Sequence, residues 1–405
     1  MKARGTGASE CSAARTENED RILVDPQAGL YVVCDGMGGH AAGDVAAELA
    51  VRGMGRLINE HRVKLSAETS AEEILRALSE FVQSASKTIY AAGSKNPAQQ
   101  GMGTTLSLVW FYGARAYLAH VGDSRIYLYR QGKLHQVSKD HTVISELVER
   151  GVLPAEAAVN HPMAHVLSRA LGAQELVVPD VFSVEVVPGD RFLLCSDGVY
   201  GVLSDQQLAL ELGAERVEKV AETVVAEAVR HGASDNSSAV VAEIVDDRTE
   251  NRCALGTEEA LIKLEVLRGV FLFHDLTLGE MARVVELCTV IDIKAGEFII
   301  REGQGGRGMY LILDGVLEVL KNGTMLARHG RGGHVGEMAL VSGAARSASV
   351  RASVDSRLLH LQYEQWIGLI QREPMMGVKL LTATSEELSR RLAIMNERDG
   401  MSAMP

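Results

Sequence analysis

The sequence lacks the features that mark membrane proteins and secreted proteins. It contains no apolar run of about 18 or more residues, the length that a transmembrane helix needs. Its first residues are polar and include no apolar segment typical of a secretory signal. Its five cysteines are scattered, so they indicate neither a disulfide framework nor a zinc site. We therefore expect a cytoplasmic protein with reduced thiols and no membrane partner.

Long basic runs are also missing, and acidic residues are in excess. With 41 Lys and Arg against 53 Asp and Glu, the formal net charge is -12, which argues against a nucleic-acid partner. At 405 residues, with 46% hydrophobic and 23% charged residues, the chain is typical of a globular protein with two or three domains.

The most informative stretch is residues 35–40, Asp-Gly-Met-Gly-Gly-His. It follows the run Leu30–Cys34, which is apolar at every position and typical of a strand buried on both faces. An acid at the end of such a strand is costly to bury unless a partner, such as a metal ion, compensates its charge. Because Gly36 has no side chain, its carbonyl group could approach that ion closely. A tight turn with a solvated Asp35 explains this stretch alone equally well.

Acids recur at the ends of other predicted strands. The set consists of Asp35, Asp123, Asp197 and Asp235, with Glu19 and Asp20 upstream. Carboxylates gathered at one rim of a sheet repel one another, so they require raised pKa values or bound cations. Oxygen ligands of this kind suit Mg²⁺ or Mn²⁺.

Eight short motifs occur in an order that resembles a known family. They are Arg-x-x-Asn-Glu-Asp (15–20), Asp-Gly-Met-Gly-Gly-His (35–40), Gly-Thr-Thr (103–105), Val-Gly-Asp-Ser-Arg (121–125), Asp-His (140–141), Arg-Ala-Leu-Gly (169–172), Ser-Asp-Gly (196–198) and Asp-Asn-Ser (235–237). Over residues 10–246 the chain resembles the bacterial branch of the metal-dependent protein phosphatases (PPM, protein phosphatase 2C-like). The resemblance implies an α+β fold in which helices flank a sandwich of two antiparallel sheets.

The resemblance also implies a reaction and a ligand set. The reaction is hydrolysis of phosphoserine and phosphothreonine in proteins, with two or three Mn²⁺ or Mg²⁺ ions. Asp35 would bridge two ions and the Gly36 carbonyl would bind one of them. Arg15 would bind the phosphoryl group, for which a planar guanidinium is suited. The remaining implied positions are the ligands Asp197 and Asp235, Glu19 and Asp20 acting directly or through water, and Asn236 orienting its neighbours.

Two positions depart from the eukaryotic members of the family. Met37 stands where those members carry a histidine that is a suspected general acid, and His40 lies three residues further on. Gly201 stands where they carry an acid at a third metal. We therefore expect a weak third site, with Asp123 and Asp197 as candidates and the backbone of the predicted flap, residues 151–171, completing it.

A polar stretch, residues 246–257, separates this region from a second pattern. We place a phosphatase-type domain at 1–246, a linker at 247–257, a second domain at 258–392 and a flexible tail at 393–405. Beyond two predicted helices, the second domain contains short strands separated by glycine turns, including the hairpin turn Asn322-Gly323. This spacing predicts a β-barrel or jelly roll with helices.

The second domain resembles the cyclic-nucleotide-binding domains over residues 262–390. The residues that carry the resemblance are Gly-Glu-Met-Ala-Leu (336–340) and Arg-Ser-Ala (346–348). The resemblance implies that Arg346 and Ser347 hold the cyclic phosphate, that Glu337 binds the ribose, and that amides of Gly336, Met338 and Ala339 contribute. It favours cAMP over cGMP, and residues 380–392 would form a lid over the base.

Together these patterns predict a Ser/Thr protein phosphatase that senses a cyclic mononucleotide and is opposed by a Ser/Thr kinase. One alternative is a cyclic-nucleotide-binding scaffold whose phosphatase domain is catalytically weak. Another is an active phosphatase whose barrel no longer binds nucleotide and mediates oligomerisation. The acids Asp35, Asp197 and Asp235 argue against the first alternative, and Glu337 and Arg346 argue against the second.

Overall fold

The computed structural model describes residues 2–38, 42–66, 68–158, 161–214, 216–245, 262–306, 308–337 and 345–402. Of residues 155, 156 and 391–402 it describes the backbone only. The chain divides into two compact units, Met1–Thr257 and Glu258–Pro405.

The first unit is built on two five-stranded antiparallel sheets. One sheet has the order β1 (Lys2–Glu10), β12 (Ser237–Val245), β11 (Arg191–Cys195), β8 (Arg125–Arg130), β9 (Lys133–Gln136). The other has the order β10 (Asp180–Glu185), β7 (Arg115–Val121), β6 (Leu106–Tyr112), β3 (Leu30–Cys34), β2 (Arg21–Asp25). A short pair, β4 (Gly36–Met37) and β5 (Gly103–Thr104), lies at the end of β3.

Helices cover the outer faces of both sheets. Those that pack on the sheet of β3 are α1 (Gly43–Arg62) and α2 (Ala71–Lys95). Those that pack on the sheet of β11 are α5 (Asp197–Tyr200), α6 (Asp205–Leu212) and α7 (Val220–Arg230). Two short helices, α3 (Val143–Glu149) and α4 (Ala155–Ala158), lie in or beside the predicted flap. The apolar positions of α2 recur at helical spacing and are buried, and a capping box of Ser70 and Glu73 begins it.

Two predicted hairpins are wrong. Gly122 predicts a turn between paired strands, and Pro188-Gly189-Asp190 predicts a hairpin over residues 181–195. Instead β7 pairs with β6 and β10, whereas β8 pairs with β9 and β11, so the chain crosses between the sheets at both turns. Glycine and proline indicate a reversal but not the partner strand. Similarly, the helix predicted over residues 138–150 begins only at Val143.

The second unit contains two four-stranded antiparallel sheets. One has the order β13 (Thr289–Ile293), β20 (Ser356–Gln362), β15 (Gly308–Asp314), β18 (His334–Val335). The other has the order β14 (Phe298–Ile300), β19 (Ser349–Ala352), β16 (Leu317–Lys321), β17 (Thr324–His329). A core that includes Ile312, Leu317 and Leu358 lies between them. The predicted turn at Asn322-Gly323 joins β16 to β17, and both residues have positive φ angles.

Helices accompany these sheets. They are α8 (Leu278–Leu287), α9 (Tyr363–Arg372) and α10 (Pro374–Ser402), and residues 262–268 are helical as well. The helix α10 continues to Ser402, which includes part of the predicted tail. Among the described residues, no helix has the length and apolar character that crossing a membrane requires.

Candidate metal centre

The ends of strands from both sheets bring the predicted acids together. Asp35 directly follows β3, and Asp197 begins α5 two residues after β11. Asp235 lies two residues before β12, and Asp123 lies two residues after β7. Asp20 is buried, and one of its carboxylate oxygens accepts a hydrogen bond from the Ser196 hydroxyl at 2.7 Å. The cluster therefore draws on strands of both sheets rather than on one rim of a single sheet.

The electrostatics of this cluster are unfavourable in the absence of cations. Burial raises the pKa of Asp35 well above its usual range, and the charges of Asp20, Asp197, Asp123 and Asp235 raise it further. Burial is likewise the first cause that raises the pKa of Asp20 to about 7 and of Asp123 to about 7. Burial and the charge of Asp235 raise the pKa of Asp197. Such a group of carboxyls is stabilised either by protons or by cations.

Two carboxylate oxygens in the cluster have no partner within the described residues. They are Oδ1 of Asp20 and Oδ1 of Asp197, and both are buried. A buried, unsatisfied carboxylate oxygen is costly, and a divalent cation satisfies it. The donors are oxygens throughout, which suits Mg²⁺ or Mn²⁺. The residues present therefore fit the ions that the resemblance implies.

Two glycines allow the surrounding backbone to converge on this site. A Cβ at Gly36 would lie 2.2 Å from the carbonyl oxygen of Gly43 and 2.7 Å from that of Glu19. A Cβ at Gly43 would lie 2.8 Å from the Glu19 carboxylate. Any side chain at these positions would separate β4, the first turn of α1 and Glu19. This close approach explains why glycine occupies position 36 beside Asp35.

Arg15 and Asn236 are two further residues that the family resemblance implies at this site. Arg15 forms an ion pair with Asp235, and about half of its side chain is exposed. Asn236 is buried, and its side-chain oxygen accepts a hydrogen bond from the Glu19 amide at 3.1 Å. Its side-chain amide donates to the Glu17 carbonyl at 3.3 Å. Asn236 therefore holds the segment that carries Glu19 against the segment that carries Asp235.

A second group of ligand atoms lies at Asp123, Asp197 and His165. One atom from each of these side chains lies within 4.8 Å of the other two. His165, an exposed residue of the flap, did not emerge from the sequence, which indicated only flap backbone at this place. No local pattern marks it, because its proximity to Asp123 arises from the folding of the flap. His40, the other candidate histidine, lies outside the described residues.

In the second unit, Arg346 is the centre of the predicted nucleotide site. Its guanidinium donates to the Gly308 carbonyl at 2.8 Å and to the Gly336 carbonyl at 3.2 Å. Gly336 has a φ of +86°, and a Cβ there would lie 2.6 Å from Nη1 of Arg346. Glu337 is close enough for its charge to act on Arg346, and Ser347 is exposed beside it. The predicted positions Met338 and Ala339 lie outside the described residues.

Two aromatic rings near Arg346 did not emerge from the sequence. Tyr310 and His360 are opposite each other on β15 and β20, and their rings stack with centroids 4.4 Å apart. Burial, and then the charge of Arg346, lowers the pKa of His360, and the same charge acts on Tyr310. Their association depends on strand register, which the sequence did not specify.

The fold agrees with the comparisons with known proteins. Residues 7–232, more than half of the chain, match the family model of protein phosphatase 2C. The chain therefore belongs to the protein phosphatase 2C family, and its α+β sandwich is the fold of that family, as predicted. Residues 290–373 match the cyclic nucleotide-binding domain, which confirms the type of the second domain.

Among curated proteins, the chain is similar to the serine/threonine protein phosphatase PstP of Mycobacterium tuberculosis. The two are 37% identical over 238 residues, which are 59% of this chain and 44% of PstP. The chain thus spans less than half the length of that relative. It is also 35% identical over 215 residues to the serine/threonine phosphatase stp of Listeria monocytogenes, covering 53% of this chain and 84% of stp.

The chain is also similar to solved structures of bacterial serine/threonine phosphatases. The crystal structure of the M. tuberculosis phosphatase PstP/Ppp has a TM-score of 0.55 and 34% identity, covering 61% of this chain and all of that one. The catalytic domain of PstP in complex with two manganese ions has a TM-score of 0.53 and 35% identity, covering 60% of this chain and 99% of that one.

Proposed function

We propose that the first unit is a metal-dependent phosphatase that hydrolyses phosphoserine and phosphothreonine in proteins. The observation that supports this most strongly is the buried cluster of acids with unpartnered oxygens on Asp20 and Asp197. The second support is membership of the protein phosphatase 2C family. We further propose that the protein acts in the cytoplasm, where a Ser/Thr kinase opposes it.

The acids of the cluster and the Gly36 carbonyl are the proposed metal ligands. Asp35, Asp197 and Asp235, with Glu19, Asp20 and the Gly36 carbonyl, would hold two Mn²⁺ or Mg²⁺ ions. When bound, such ions supply positive charge for phosphate oxygens and lower the pKa of a water molecule. Ser196 donates to Oδ2 of Asp20, whereas Oδ1 is buried without a hydrogen-bond partner among the described residues.

Arg15 would bind the phosphoryl group of the substrate. Its guanidinium is about half exposed and contacts Asp235 at the edge of the cluster. A planar guanidinium can donate two parallel hydrogen bonds to phosphate oxygens. If a cation binds Asp235, the attraction between Asp235 and Arg15 weakens, and the guanidinium becomes available to the substrate.

Substrate class is tested by phosphate release from matched phosphothreonine and phosphotyrosine peptides in the presence of Mn²⁺. We expect release from the phosphothreonine peptide and at least about tenfold slower release from the phosphotyrosine peptide, because its longer side chain displaces the phosphorus atom. Equal rates would contradict a Ser/Thr preference. Absence of hydrolysis, with p-nitrophenyl phosphate also inert, would favour the nucleotide-binding scaffold with a weak phosphatase domain.

We also propose a third, weaker cation site at Asp123 and Asp197, with His165 as an additional ligand. It is supported by the proximity of their ligand atoms. Gly201 supplies no acid there, so the site has fewer charges than the main cluster and would bind more weakly. If Asp123→Ala leaves the Mn²⁺ dependence of activity unchanged, this site has no functional role.

For the second unit we propose a cyclic mononucleotide ligand, cAMP in preference to cGMP, that changes phosphatase activity. Arg346, Ser347, Gly336, Glu337, Met338 and Ala339 would form the site. In the structure Arg346 uses Nη1 and Nη2 for two carbonyl groups, and a guanidinium has five N–H donors, so donors remain for a phosphate. Regulation requires that the ligand bind two states of the protein with different affinity.

Calorimetry with cAMP and with cGMP on the full chain tests the ligand, and turnover with each tests regulation. Binding without any change in turnover or Michaelis constant would remove the regulatory proposal and leave the binding proposal. No heat with either nucleotide would favour a barrel that mediates oligomerisation.

A further inference from the structure

Tyr200 connects the two acids of the proposed third cation site. It is the last residue of α5, the helix that begins at Asp197, so the two residues lie about one turn apart. Its hydroxyl donates a hydrogen bond to the main-chain carbonyl of Asp123 at 3.0 Å. Asp123 lies in the crossover from β7 to β8, Asp197 follows β11, and the two residues are far apart in sequence. Tyr200 therefore links the backbone of one acid to the helix that carries the other.

The ring of Tyr200 is held in place from one side by a charged pair. The guanidinium carbon of Arg125 lies 3.7 Å from the centroid of the ring, which is the geometry of a cation–π contact. Arg125 is itself fixed by Asp140, to which Nε donates at 3.0 Å and Nη2 at 2.7 Å. Gln136 donates to the same carboxylate at 3.1 Å. The hydroxyl of Tyr200 is thus directed at Asp123 by a ring with little rotational freedom.

The loop that carries Asp123 is held from the other side by His141. Its backbone amide donates to the Gly122 carbonyl at 2.8 Å, and its ring Nδ1 accepts a hydrogen bond from the Gly122 amide at 3.2 Å. Arg125 and the pair Asp140-His141 belong to motifs that the metal chemistry leaves without a role. In the structure Arg125 contacts Tyr200, which is the hydrogen-bond partner of Asp123, and His141 contacts Gly122, which precedes Asp123 in the chain.

We propose that Tyr200 is a positioning residue for the third cation site: its hydrogen bond to Asp123 fixes the separation of Asp123 from Asp197. This inference rests on the proposed third site. A carboxylate pair gains cation affinity when its geometry is set before the ion binds, because the ion then orders fewer groups. Loss of the hydroxyl would leave the ligands intact and only loosen their relative position.

The test is Tyr200→Phe, which retains the ring and its contact with Arg125 and removes only the hydroxyl. Tyr112→Phe is the matched control, since Tyr112 also donates its hydroxyl to a carbonyl, that of Ser66, at the opposite end of β6 from the cluster. Mn²⁺ binding is measured by calorimetry on the metal-stripped full chain, and turnover is measured as a function of Mn²⁺. Asp123→Asn serves as the reference without a third site.

We expect three binding events in the unsubstituted protein and two in Asp123→Asn. In Tyr200→Phe the weakest event should weaken about three- to tenfold, as expected for the loss of one hydrogen bond, while the two tighter events stay unchanged. More Mn²⁺ should then be needed for half-maximal turnover, with the maximal rate regained at saturation. Tyr112→Phe should match the unsubstituted protein in every respect.

The contrary outcomes separate the inference from the site on which it rests. Three events in both the unsubstituted protein and Tyr200→Phe, with equal affinities, would overturn the positioning role alone. Two events in the unsubstituted protein would overturn the third site together with this inference, and would leave the main cluster untouched. An equal weakening of all three events, or a lower melting temperature of the metal-free variant without selective loss of the third event, would assign Tyr200 a purely structural role.

Discussion

At the scale of single residues, the metal centre depends on a cluster of acids and on the side chains that contact them. Asp35, Asp123 and Asp197 could be recognised because each ends a buried strand, where an unpaired acid is unfavourable. His165 and Tyr200 carry no such local signal. Their significance comes from contacts with Asp123, which is distant from both in the sequence.

The raised pKa values predict how pH affects the stability of the metal-free protein. Asp20 and Asp123 have pKa values of about 7 when folded, above the ordinary value of about 4 for an unfolded aspartate. Between these values the folded state binds more protons, so the free energy of unfolding falls as pH rises from about 4 through 7. We expect the melting temperature of metal-stripped protein to fall between pH 5.5 and 8, a range chosen around these values.

Asp20→Asn is the matched variant for this measurement. Because it removes one of the titrating groups and keeps the shape of the side chain, its melting temperature should depend less steeply on pH. Saturating Mn²⁺ should reverse the trend in the unsubstituted protein, since cations bind the deprotonated cluster. A metal-free melting temperature that rises steadily up to pH 8 would show that the acids do not repel one another as described.

At the scale of elements, strands and helices were predicted better than their pairing. The burial pattern of β7 or β11 indicates a strand enclosed on both faces, and this pattern is the same in either sheet. Gly122 and the turn at residues 188–190 therefore predict hairpins, although both carry the chain from one sheet to the other. The helix α6 was not predicted, yet its capping box, Ser204 with Gln207, is a local signal.

Alanine substitutions at two glycines on adjoining elements should change the stability of the protein in opposite directions. Gly36→Ala places a Cβ 2.2 Å from the Gly43 carbonyl, so β4 and α1 must separate, and we expect weaker Mn²⁺ binding with destabilisation of about 2 kcal/mol or more. Gly53→Ala lies within α1, where the nearest atom would be 3.9 Å away, and should stabilise the protein by about 0.5–1 kcal/mol.

Denaturant titration of both variants, with Mn²⁺ calorimetry, measures these effects. Gly53→Ala controls for a methyl group added near the same helix, and its Mn²⁺ affinity should equal that of the unsubstituted protein. If Gly36→Ala bound Mn²⁺ normally, the close approach of β4 to α1 would not be needed for the metal centre.

At the scale of the whole molecule, the division into two units followed from composition and motif order. The polar stretch at residues 246–257 marked the change of pattern, and the structure assigns Met1–Thr257 and Glu258–Pro405 to separate units. The family resemblance of each half followed from motifs that each occupy a few residues. The sequence did not reveal the stacked pair of Tyr310 and His360 beside Arg346, because that pair depends on the register of β15 and β20.

Arg346→Lys tests the nucleotide site in the intact molecule. Lysine retains the charge but cannot donate to two carbonyls and a phosphate in one plane, so cAMP affinity should fall at least about tenfold. Arg328→Lys is the control, since Arg328 is an exposed arginine of β17 that pairs with Glu318. Any effect of cAMP on turnover should weaken in parallel with affinity. Equal cAMP affinity in both variants would exclude Arg346 from the site.

The most direct test of the account is the rate of phosphate release from a phosphothreonine peptide as Mn²⁺ is added to metal-stripped protein. We predict no release without metal, a rise to saturation with Mn²⁺, and a rate about a thousandfold lower in Asp35→Asn, because that substitution removes the acid at the centre of the cluster. Hydrolysis that persists without metal, or that Asp35→Asn leaves unchanged at saturating Mn²⁺, would contradict the claim that these acids hold the catalytic ions.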